Sequence, residues 1–256
     1  MRGSSDRLWG EWGCWARLGW FDIVSRYRRT TFGPLWISVM TALTVLTLGF
    51  VYGTLFRIRD REFIPYLAIG FVTWSWISAS LTEASSAFAA YKPVMLNQSV
   101  HPSSIVVRVV VRNLIVLAHN FVVVAIVLPA YGYSLSLVNL LLIPGVLLVG
   151  LLILAAAIIL AIGGTRYRDL QQLLVVFLGM GFLVTPVIWS PEILVERRYI
   201  ATLNPFTHLL DVVRMPLLGR VPEVGSWFAV ASMAVIVSFI AASLMRRCRF
   251  RIPFWL

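Results

Sequence analysis

Long uncharged stretches alternate with short charged ones along the whole chain. The windows that contain no Asp, Glu, Lys or Arg are Thr30–Phe56, Phe63–Thr82, Asn113–Thr165, Gln171–Pro191 and Val224–Met245. The third window is too long for one helix, and residues 129–134 interrupt it with turn-forming proline, glycine and serine. Because a helix needs roughly 20 apolar residues to cross a bilayer, the pattern predicts six spans: about 35–56, 63–82, 107–130, 138–163, 170–189 and 225–245.

The composition agrees with a membrane protein. Of 256 residues, 59% are hydrophobic and only 13% are charged, and the mean hydropathy is +0.86. A soluble domain of this size exposes much of its chain to water and cannot bury so much apolar surface. Backbone polar groups in lipid must be satisfied within the segment, so the spans are helices. The sequence therefore predicts an all-α, polytopic membrane protein with one transmembrane domain, 1–256, and excludes a soluble enzyme.

The excess of positive charge has a topological explanation. There are 22 Lys+Arg against 11 Asp+Glu, a formal charge of +11. Nucleic-acid binding would also explain such an excess, but the charges lie between apolar stretches. With both termini in the cytoplasm, 15 of the 22 basic residues lie on the cytoplasmic side and 7 on the external side. This distribution agrees with the enrichment of Lys and Arg in the cytoplasmic loops of membrane proteins. The prediction is cytoplasmic termini and no nucleic-acid partner, with 57–62 as a local exception.

Residues 8–27 predict an amphipathic helix that lies on the membrane surface. One face carries Leu8, Trp9, Trp12, Trp15, Ala16, Gly19, Trp20, Ile23 and Tyr27, and the other carries Arg7, Arg17, Ser25 and Arg28. Tryptophan prefers the headgroup level and arginine prefers anionic lipid. A soluble helix packed against a partner is the alternative.

Two connections between spans carry their own predicted helices. On the cytoplasmic side, Pro93 and Pro102 bracket a stretch that could form two or three helical turns, either a docking element or an ordinary connector. On the external side, 190–220 is too apolar for a free loop, so re-entrant helices are predicted there. Phe206–Leu217 forms one of them, with Asp211 and Arg214 adjacent at i,i+3.

Catalytic and metal-binding motifs are missing from the sequence. There is no G-x-x-x-x-G-K-[ST], so the chain does not bind ATP through a P-loop. Neither H-E-x-x-H nor G-x-S-x-G occurs, and Cys14 and Cys248 stand far apart. No catalytic residue, metal site or disulfide is predicted.

Polar and aromatic side chains inside the spans leave alternatives open. Arg108 and Arg112, one turn apart, either snorkel to the interface or meet a lipid phosphate. His119 and Asn120 lie deeper, and without an array of acids they favour hydrogen bonds between helices over a proton relay.

One arc of the second span carries Phe63, Tyr66, Gly70 and Trp74. Such an arc suits either helix packing or a path on which sugar rings stack.

Residues 26–36, R-Y-R-R-T-T-F-G-P-L-W, resemble the start of the ABC-2-type permeases that export bacterial polysaccharides. A second match is N-P-F-T at 204–207, which looks like that family's N-P-[LF]-[TS] element and is followed by Arg214 and L-L-G at 217–219. The basic tail, 246–256, is also similar. The resemblance covers nearly the whole chain, and the nearest relatives look like O-antigen, capsule and teichoic-acid exporters.

The resemblance implies a function and a set of partners. Such permeases work as a homodimer with two separate ATPase subunits, which hold ATP and Mg, so the permease binds no cofactor. The substrate is a polysaccharide on a polyprenyl-pyrophosphate carrier, moved from the cytoplasm to the periplasm across the inner membrane. A P-loop is then expected in the partner chain.

The resemblance also assigns roles to residues. ATPase coupling falls at about 91–101, on Tyr91, Lys92, Pro93, Asn97, Gln98 and His101. The interfacial gate helix corresponds to 8–29, where Arg26, Arg28 and Arg29 would meet the lipid pyrophosphate, although positive-inside anchoring explains them equally. Phe63, Tyr66 and Trp74 would line the path. Asn204, Pro205, Asp211 and Arg214 would form the periplasmic gate.

Three rival functions remain at this point. An ABC-2 drug or small-lipid exporter would share the fold, but such exporters often lack the 26–36 motif. A membrane glycosyltransferase or carrier-lipid phosphatase would need clustered acids or a histidine–arginine site at one face. A scaffold of a glycan assembly complex would not need a coupled ATPase.

Overall fold

A computed structural model describes residues 17–26, 28–56, 60–97, 100–193 and 199–255, and their regular structure is entirely helical. The helices are α1 (17–26), α2 (Leu35–Phe56), α3 (Asp60–Ser85), α4 (Ala87–Ala90), α5 (Lys92–Asn97), α6 (Pro102–Ala130), α7 (Leu142–Arg166), α8 (Leu170–Val184), α9 (Tyr199–Leu203), α10 (Pro205–Leu217), α11 (Val224–Cys248) and α12 (Ile252–Trp255). Short 3-10 turns occupy Leu137–Leu141 and Pro191–Ile193. The predicted all-α class is confirmed.

Long apolar helices confirm a polytopic membrane protein, but the predicted fifth span is short. Within the described residues, 5 helices are long and apolar enough to cross a membrane: α2, α3, α6, α7 with its preceding turn, and α11. The span predicted at 170–189 is α8, with only 15 residues, about 22 Å against a hydrocarbon core of about 30 Å. The helix ends because Thr185 is extended, a conformation that the following Pro186 favours.

Other helices extend beyond their predicted spans, and a side-chain cap sets the start of one of them. The span predicted at 107–130 begins at Pro102 in α6, where the His101 side chain accepts a hydrogen bond from the Ser103 amide. Proline suits a first helical turn because its missing amide hydrogen is not needed there. Likewise α7 and α11 continue to Arg166 and Cys248. The charged last turns of these helices therefore stand at one end of the bundle.

Helix α3 is the centre of the bundle. It is the most buried span, and it packs against α2, α6, α7, α8 and α10. At its end, Gly164 of α7 approaches the Ser85 carbonyl so closely that a Cβ atom at residue 164 would overlap it. We call the end where α3 and α7 finish and α6 begins the basic end, and the opposite end, where α10 lies, the α10 end.

The described part of the predicted amphipathic helix packs against α6. Ile23 is buried, and Gly19 lies against the backbone of Arg112. Trp20 stacks on His119 with ring centroids 5.7 Å apart. These residues belong to the predicted apolar face; residues 8–16 and Tyr27 lie outside the described residues. At least this part of the helix is attached to the bundle, and its position on the membrane surface stays a prediction.

The predicted contact between deeper polar groups is confirmed for one of them. Asn120 on α6 accepts a hydrogen bond from the Thr41 hydroxyl on α2 at 2.9 Å. His119 instead turns its ring toward the Ile115 carbonyl of its own helix, at 2.9 Å.

The helix predicted at Phe206–Leu217 is also confirmed as α10, which packs against α3, α7 and α11. Whether it enters the membrane remains a prediction.

Candidate functional sites at the two ends of the bundle

A cluster of polar side chains joins four elements at the basic end. We call it the polar network, and it comprises Asp22 of α1, Glu83 of α3, Tyr91 between α4 and α5, and Arg108, Arg112 and Asn113 of α6. These residues come from distant parts of the sequence. Their convergence ties the N-terminal helix, the central span and the predicted coupling segment to one another.

Asp22 is the first centre of the polar network. Arg108 donates two hydrogen bonds to its carboxylate, from Nε to Oδ2 at 2.9 Å and from Nη2 to Oδ1 at 2.6 Å. The Tyr91 hydroxyl donates to Oδ2 at 3.1 Å. Paired hydrogen bonds between a guanidinium and a carboxylate are among the stronger polar contacts in proteins. Asp22 therefore holds α1 against both α6 and the start of α5.

Glu83 is the second centre. Its Oε2 accepts hydrogen bonds from Arg112 Nη2 at 2.7 Å and from Asn113 Nδ2 at 2.6 Å. Arg112 also places Nη1 3.7 Å from Asp22 Oδ2, and Arg26 Nη1 lies 3.9 Å from Glu83 Oε1. Arg112 thus bridges the two carboxylates and joins them into one network.

The two arginines of α6 differ from their predicted arrangement. Snorkelling or lipid binding was expected for Arg108 and Arg112, but both turn toward Asp22 and Glu83. Their side chains are only 18% and 14% exposed. A half-buried cation is costly unless it is paired and hydrogen-bonded, and the two carboxylates provide that pairing. The sequence interpretation missed these acids, although two arginines one turn apart in an apolar helix already require nearby negative charge.

Tyr91 connects the polar network to α5. Burial and the neighbouring Asp22 carboxylate raise the pKa of the Tyr91 hydroxyl, so this group stays protonated and donates. The Arg108 guanidinium lies over the tyrosine ring, 4.8 Å from its centroid. Helix α5, which carries Lys92, Pro93 and Asn97, follows directly and has no buried residue. Tyr91 therefore anchors the start of a largely exposed helix, of which Met95 also packs partly against the core.

The remaining predicted coupling residues are separate from this anchor. His101 caps α6, where its Nδ1 accepts from the Ser103 amide at 3.3 Å. Gln98 lies outside the described residues. The structure thus brings Tyr91, but not His101, into the polar network.

The three predicted phosphate-binding arginines share one concave surface. Arg26, Arg28 and Arg29 line a cleft of about 460 Å³ together with Ser25. The Arg26 side chain is 62% exposed. The cleft lies directly after α1 and contacts the polar network through Arg26 and Glu83. An anion in it would meet three cations at the basic end, while the phosphate role itself stays a prediction.

A second cleft, of about 570 Å³, separates α3 from α8. Its α3 side runs from Phe71 and Trp74 to Glu83 and carries hydroxyl groups, and its α8 side is apolar; the hydroxyl-bearing residues are Ser75, Ser78 and Thr82. Trp74 packs against Phe182 of α8 and Phe206 of α10, with ring centroids 6.0 and 5.2 Å away. Of the three predicted path residues, only Trp74 lines this cleft.

The other two predicted path residues are packed inside the bundle. Phe63 is 4% exposed. The Tyr66 hydroxyl donates to the Pro186 carbonyl at 3.0 Å, with the Trp189 carbonyl at 3.3 Å. Helix packing explains both positions in this conformation. A role in a substrate path remains a prediction for all three residues.

The α10 end contains a deeply buried cation, Arg214. Its side chain has no exposed surface, and its guanidinium lies over the Tyr66 ring, 3.8 Å from the centroid. Within the described part of the chain, none of its three nitrogens has a hydrogen-bond partner. Gly70 of α3 makes room for this group, since a Cβ atom there would overlap Nη2. The guanidinium of this fully buried residue thus packs on an aromatic face.

Asp211 and Arg214 lie on α10 with the predicted i,i+3 spacing. Both side chains are described, and no ion pair forms between them. The packing of α10 on α3 directs Arg214 toward Tyr66, and this tertiary contact overrides the i,i+3 spacing. Burial raises the pKa of the Asp211 carboxyl, and the charge of Arg214 opposes that shift.

Asn204 and Pro205 position α10. The Asn204 side chain accepts from the Phe206 amide at 2.9 Å and donates to the Thr185 hydroxyl at 2.9 Å. Asparagine before proline is a favourable helix start, because the side chain satisfies a free amide and proline needs no partner. The N-P element therefore joins the end of α8 to the beginning of α10.

Comparisons with known proteins agree with this architecture. The model of one protein family, the ABC-2 type transporters, matches residues 15–218. The chain is similar to the O-antigen export system permease protein RfbA of Myxococcus xanthus, with 26% identity over 237 residues and 89% of each chain covered. It is also similar to an RfbA protein of Klebsiella pneumoniae, with 25% identity over 194 residues and 74% of each chain covered. The family match extends over most of the sequence, so this chain belongs to the ABC-2 type transporter family.

Proposed function

We propose that this chain is the permease subunit of an ABC transporter that exports a lipid-linked polysaccharide of the O-antigen class. Family membership and the relatives named as O-antigen export permeases support this proposal. In the proposed complex two copies of the chain form a homodimer in the inner membrane. Two separate ATPase subunits bind ATP and Mg and supply the energy.

The proposal sets an orientation. The basic end faces the cytoplasm, as the distribution of arginines favours. Helix α5 then lies where an ATPase subunit would contact it, and the cleft of Arg26, Arg28 and Arg29 opens to the compartment in which the substrate is made. The α10 end faces the periplasm.

The polar network is the observation that carries the mechanism. Tyr91, directly before α5, donates a hydrogen bond to Asp22, which also accepts hydrogen bonds from Arg108. Arg112 donates a hydrogen bond to Glu83 and so connects α6 to α3. A hydrogen bond to a charged group contributes about 1.5–3 kcal/mol, well above thermal energy. A push on α5 would therefore move α1, α3 and α6 together, which is the connection that a coupled transporter requires.

Substrate contacts follow from the two clefts. The planar forks of Arg26, Arg28 and Arg29 suit the oxygens of a pyrophosphate group. The α3–α8 cleft, with hydroxyl groups and Trp74, suits a sugar chain, because aromatic faces hold sugars without a fixed set of hydrogen bonds. Phe206 covers Trp74, so this path would open when α10 moves.

The gate role of α10 rests on its weak polar attachment. Arg214 contacts α3 mainly through Tyr66, a cation–π contact of about 2 kcal/mol when desolvated. Asn204 and Pro205 keep the start of α10 attached to α8, and Asp211 accompanies Arg214 on the moving helix. Separation of α10 from α3 would then break few strong hydrogen bonds.

Gene deletion tests the proposal directly. Cells that lack this chain should lose the surface polysaccharide and accumulate lipid-linked glycan inside, and the wild-type gene should restore export. The tagged chain should also copurify with a near-stoichiometric P-loop ATPase in mild detergent. Normal surface polysaccharide after deletion would contradict O-antigen export and favour a drug or lipid exporter; absence of any ATPase would contradict the ABC mechanism.

A further inference from the structure

A groove of about 330 Å³ lies between α7 and α11 and extends to His101 and Ser103 at the start of α6. Each wall is one helix face: Leu151, Leu154, Ala155 and Ile158 on α7, and Ser238, Ala241, Ala242 and Met245 on α11. Ala155 and Ala241 are buried where the two walls meet, and their small side chains leave the space open. The interior of the groove is almost entirely hydrocarbon.

The groove is cationic at one mouth only. Arg246 and Arg249 line it at the basic end, together with His101 at the start of α6. Neither of the two guanidinium groups forms an ion pair with a described residue. The mouth therefore carries two cations without a carboxylate partner among the described residues, next to an apolar groove.

The apolar part of the groove fits within one leaflet of a bilayer. From Ser238 to Met245, the α11 wall of the groove covers about 10 Å at 1.5 Å per residue. The hydrocarbon core of a bilayer is about 30 Å thick, so one leaflet accounts for about half of it. With the arginines at the level of the headgroups, the apolar part of the groove lies at the depth of the acyl chains of the same leaflet.

We propose that this groove binds an anionic diacyl phospholipid, with its phosphate between Arg246 and Arg249 and one acyl chain between α7 and α11. A soluble anion would leave the apolar walls uncovered, and a lipid without net charge would leave the cations unneutralised. An anionic phospholipid satisfies both parts of the groove, since surface arginines attract acidic headgroups and apolar walls attract acyl chains. The site is independent of the exported substrate.

The test counts lipids retained by the purified full-length complex in native mass spectrometry, after exchange into micelles that contain phosphatidylglycerol or phosphatidylcholine. Phosphatidylglycerol should be retained in preference to phosphatidylcholine. The double variant Arg246→Ala/Arg249→Ala should weaken this retention about tenfold. Ala242→Phe, which fills the groove and keeps both arginines, should weaken it as well.

Two control variants separate this site from general effects. Arg247→Ala removes a neighbouring charge that does not line the groove, and Ile240→Phe adds an aromatic ring at similar depth on another face of α11. Both should retain phosphatidylglycerol like the wild type. An equal loss in Arg247→Ala would show a diffuse basic surface and overturn the proposal, as would normal retention in Ala242→Phe.

The other possible occupants give different results. Displacement of bound lipid by millimolar inorganic phosphate alone would indicate a simple anion site. A crosslink between the α7–α11 grooves of two copies, with no retained lipid, would indicate a protein interface. Either result overturns the proposal, and size-exclusion profiles establish that each variant remains folded.

Discussion

The two ends of the bundle hold buried arginines in opposite ways. At the basic end, Arg108 and Arg112 are partly exposed and meet two carboxylates through hydrogen bonds of 2.6–2.9 Å. At the α10 end, Arg214 is fully buried, has no hydrogen bond to a described residue and lies on the Tyr66 ring. The more deeply buried cation is thus the less well paired one.

This difference indicates different mechanical roles. A buried charge that loses its only partner destabilises a protein strongly, so a paired network resists separation. A buried cation without a paired anion is already costly where it is, and a movement that hydrates it regains part of that cost. This contrast supports the proposed roles, in which the basic end transmits motion and α10 separates from α3.

The largest expected effect tests how closely α10 contacts α3. Gly70→Val places a branched side chain where the Arg214 guanidinium and the Val187 carbonyl lie, so the buried guanidinium must leave its position over Tyr66, and overpacking of this kind costs about 3 kcal/mol. Thermal unfolding of the purified complex measures it. Gly225→Ala is the matched control, because a Cβ at that site meets nothing within 4 Å. Wild-type stability of Gly70→Val would show that the contact with Arg214 is absent.

The second largest effect is expected for the Asp22–Arg108 ion pair at the basic end. Asp22→Ala leaves Arg108 without its carboxylate and should destabilise the protein by about 2 kcal/mol and reduce export. In a double-mutant cycle with Arg108→Ala, the coupling energy should reach about 1.5 kcal/mol. Asp169→Ala is the control, because that exposed side chain forms no helix-capping hydrogen bond. Additive single effects would contradict the polar network.

A smaller change isolates the link from α5 to α1. Tyr91→Phe keeps the ring under Arg108 and removes only the hydroxyl that donates to Asp22. The expected loss of stability is about 1 kcal/mol, together with a lower ratio of glycan exported to ATP hydrolysed in reconstituted vesicles. Tyr167→Phe, at an exposed position, should change neither quantity. An unchanged export ratio for Tyr91→Phe would exclude the hydroxyl from coupling.

The smallest stability effect is expected at the buried cation. Arg214→Met fills a similar volume without an unpaired charge, so stability should be unchanged or higher by about 1 kcal/mol. Export should nevertheless fall, because α10 is then released less easily from α3. The control is Arg220→Met, at an exposed position. A loss of several kcal/mol in Arg214→Met would mean that Arg214 is strongly paired, and the contrast between the two ends would disappear.

The sequence predicted most of the helices because charged residues mark span ends. The length of the helix predicted at 170–189 was overestimated, because the apolar window continues past Thr185, whose extended backbone before Pro186 ends α8. A short helix was predicted between Pro93 and Pro102 and another at Phe206–Leu217, and the structure has α5 at Lys92–Asn97 and α10 at Pro205–Leu217. These features depend on local sequence, which is why they could be predicted.

The partners of charged side chains could not be predicted in the same way. Asp22 and Arg108 are 86 positions apart, and only the packing of α1 on α6 brings them together. Conversely, Asp211 and Arg214 are neighbours on one helix, yet contact with Tyr66 of α3 decides where the arginine lies. Tertiary packing determines both outcomes, and no short motif records it.

The polar network should make α1 and α5 move as one unit. Spin labels at Phe21 and Leu96, both exposed, in a variant without Cys14 and Cys248, would report the distance between the two helices by pulsed electron resonance. The account predicts an unchanged distance in the reconstituted wild-type transporter with and without ATP, and an ATP-dependent change in Asp22→Ala. A change in the wild type as large as that in Asp22→Ala would contradict it.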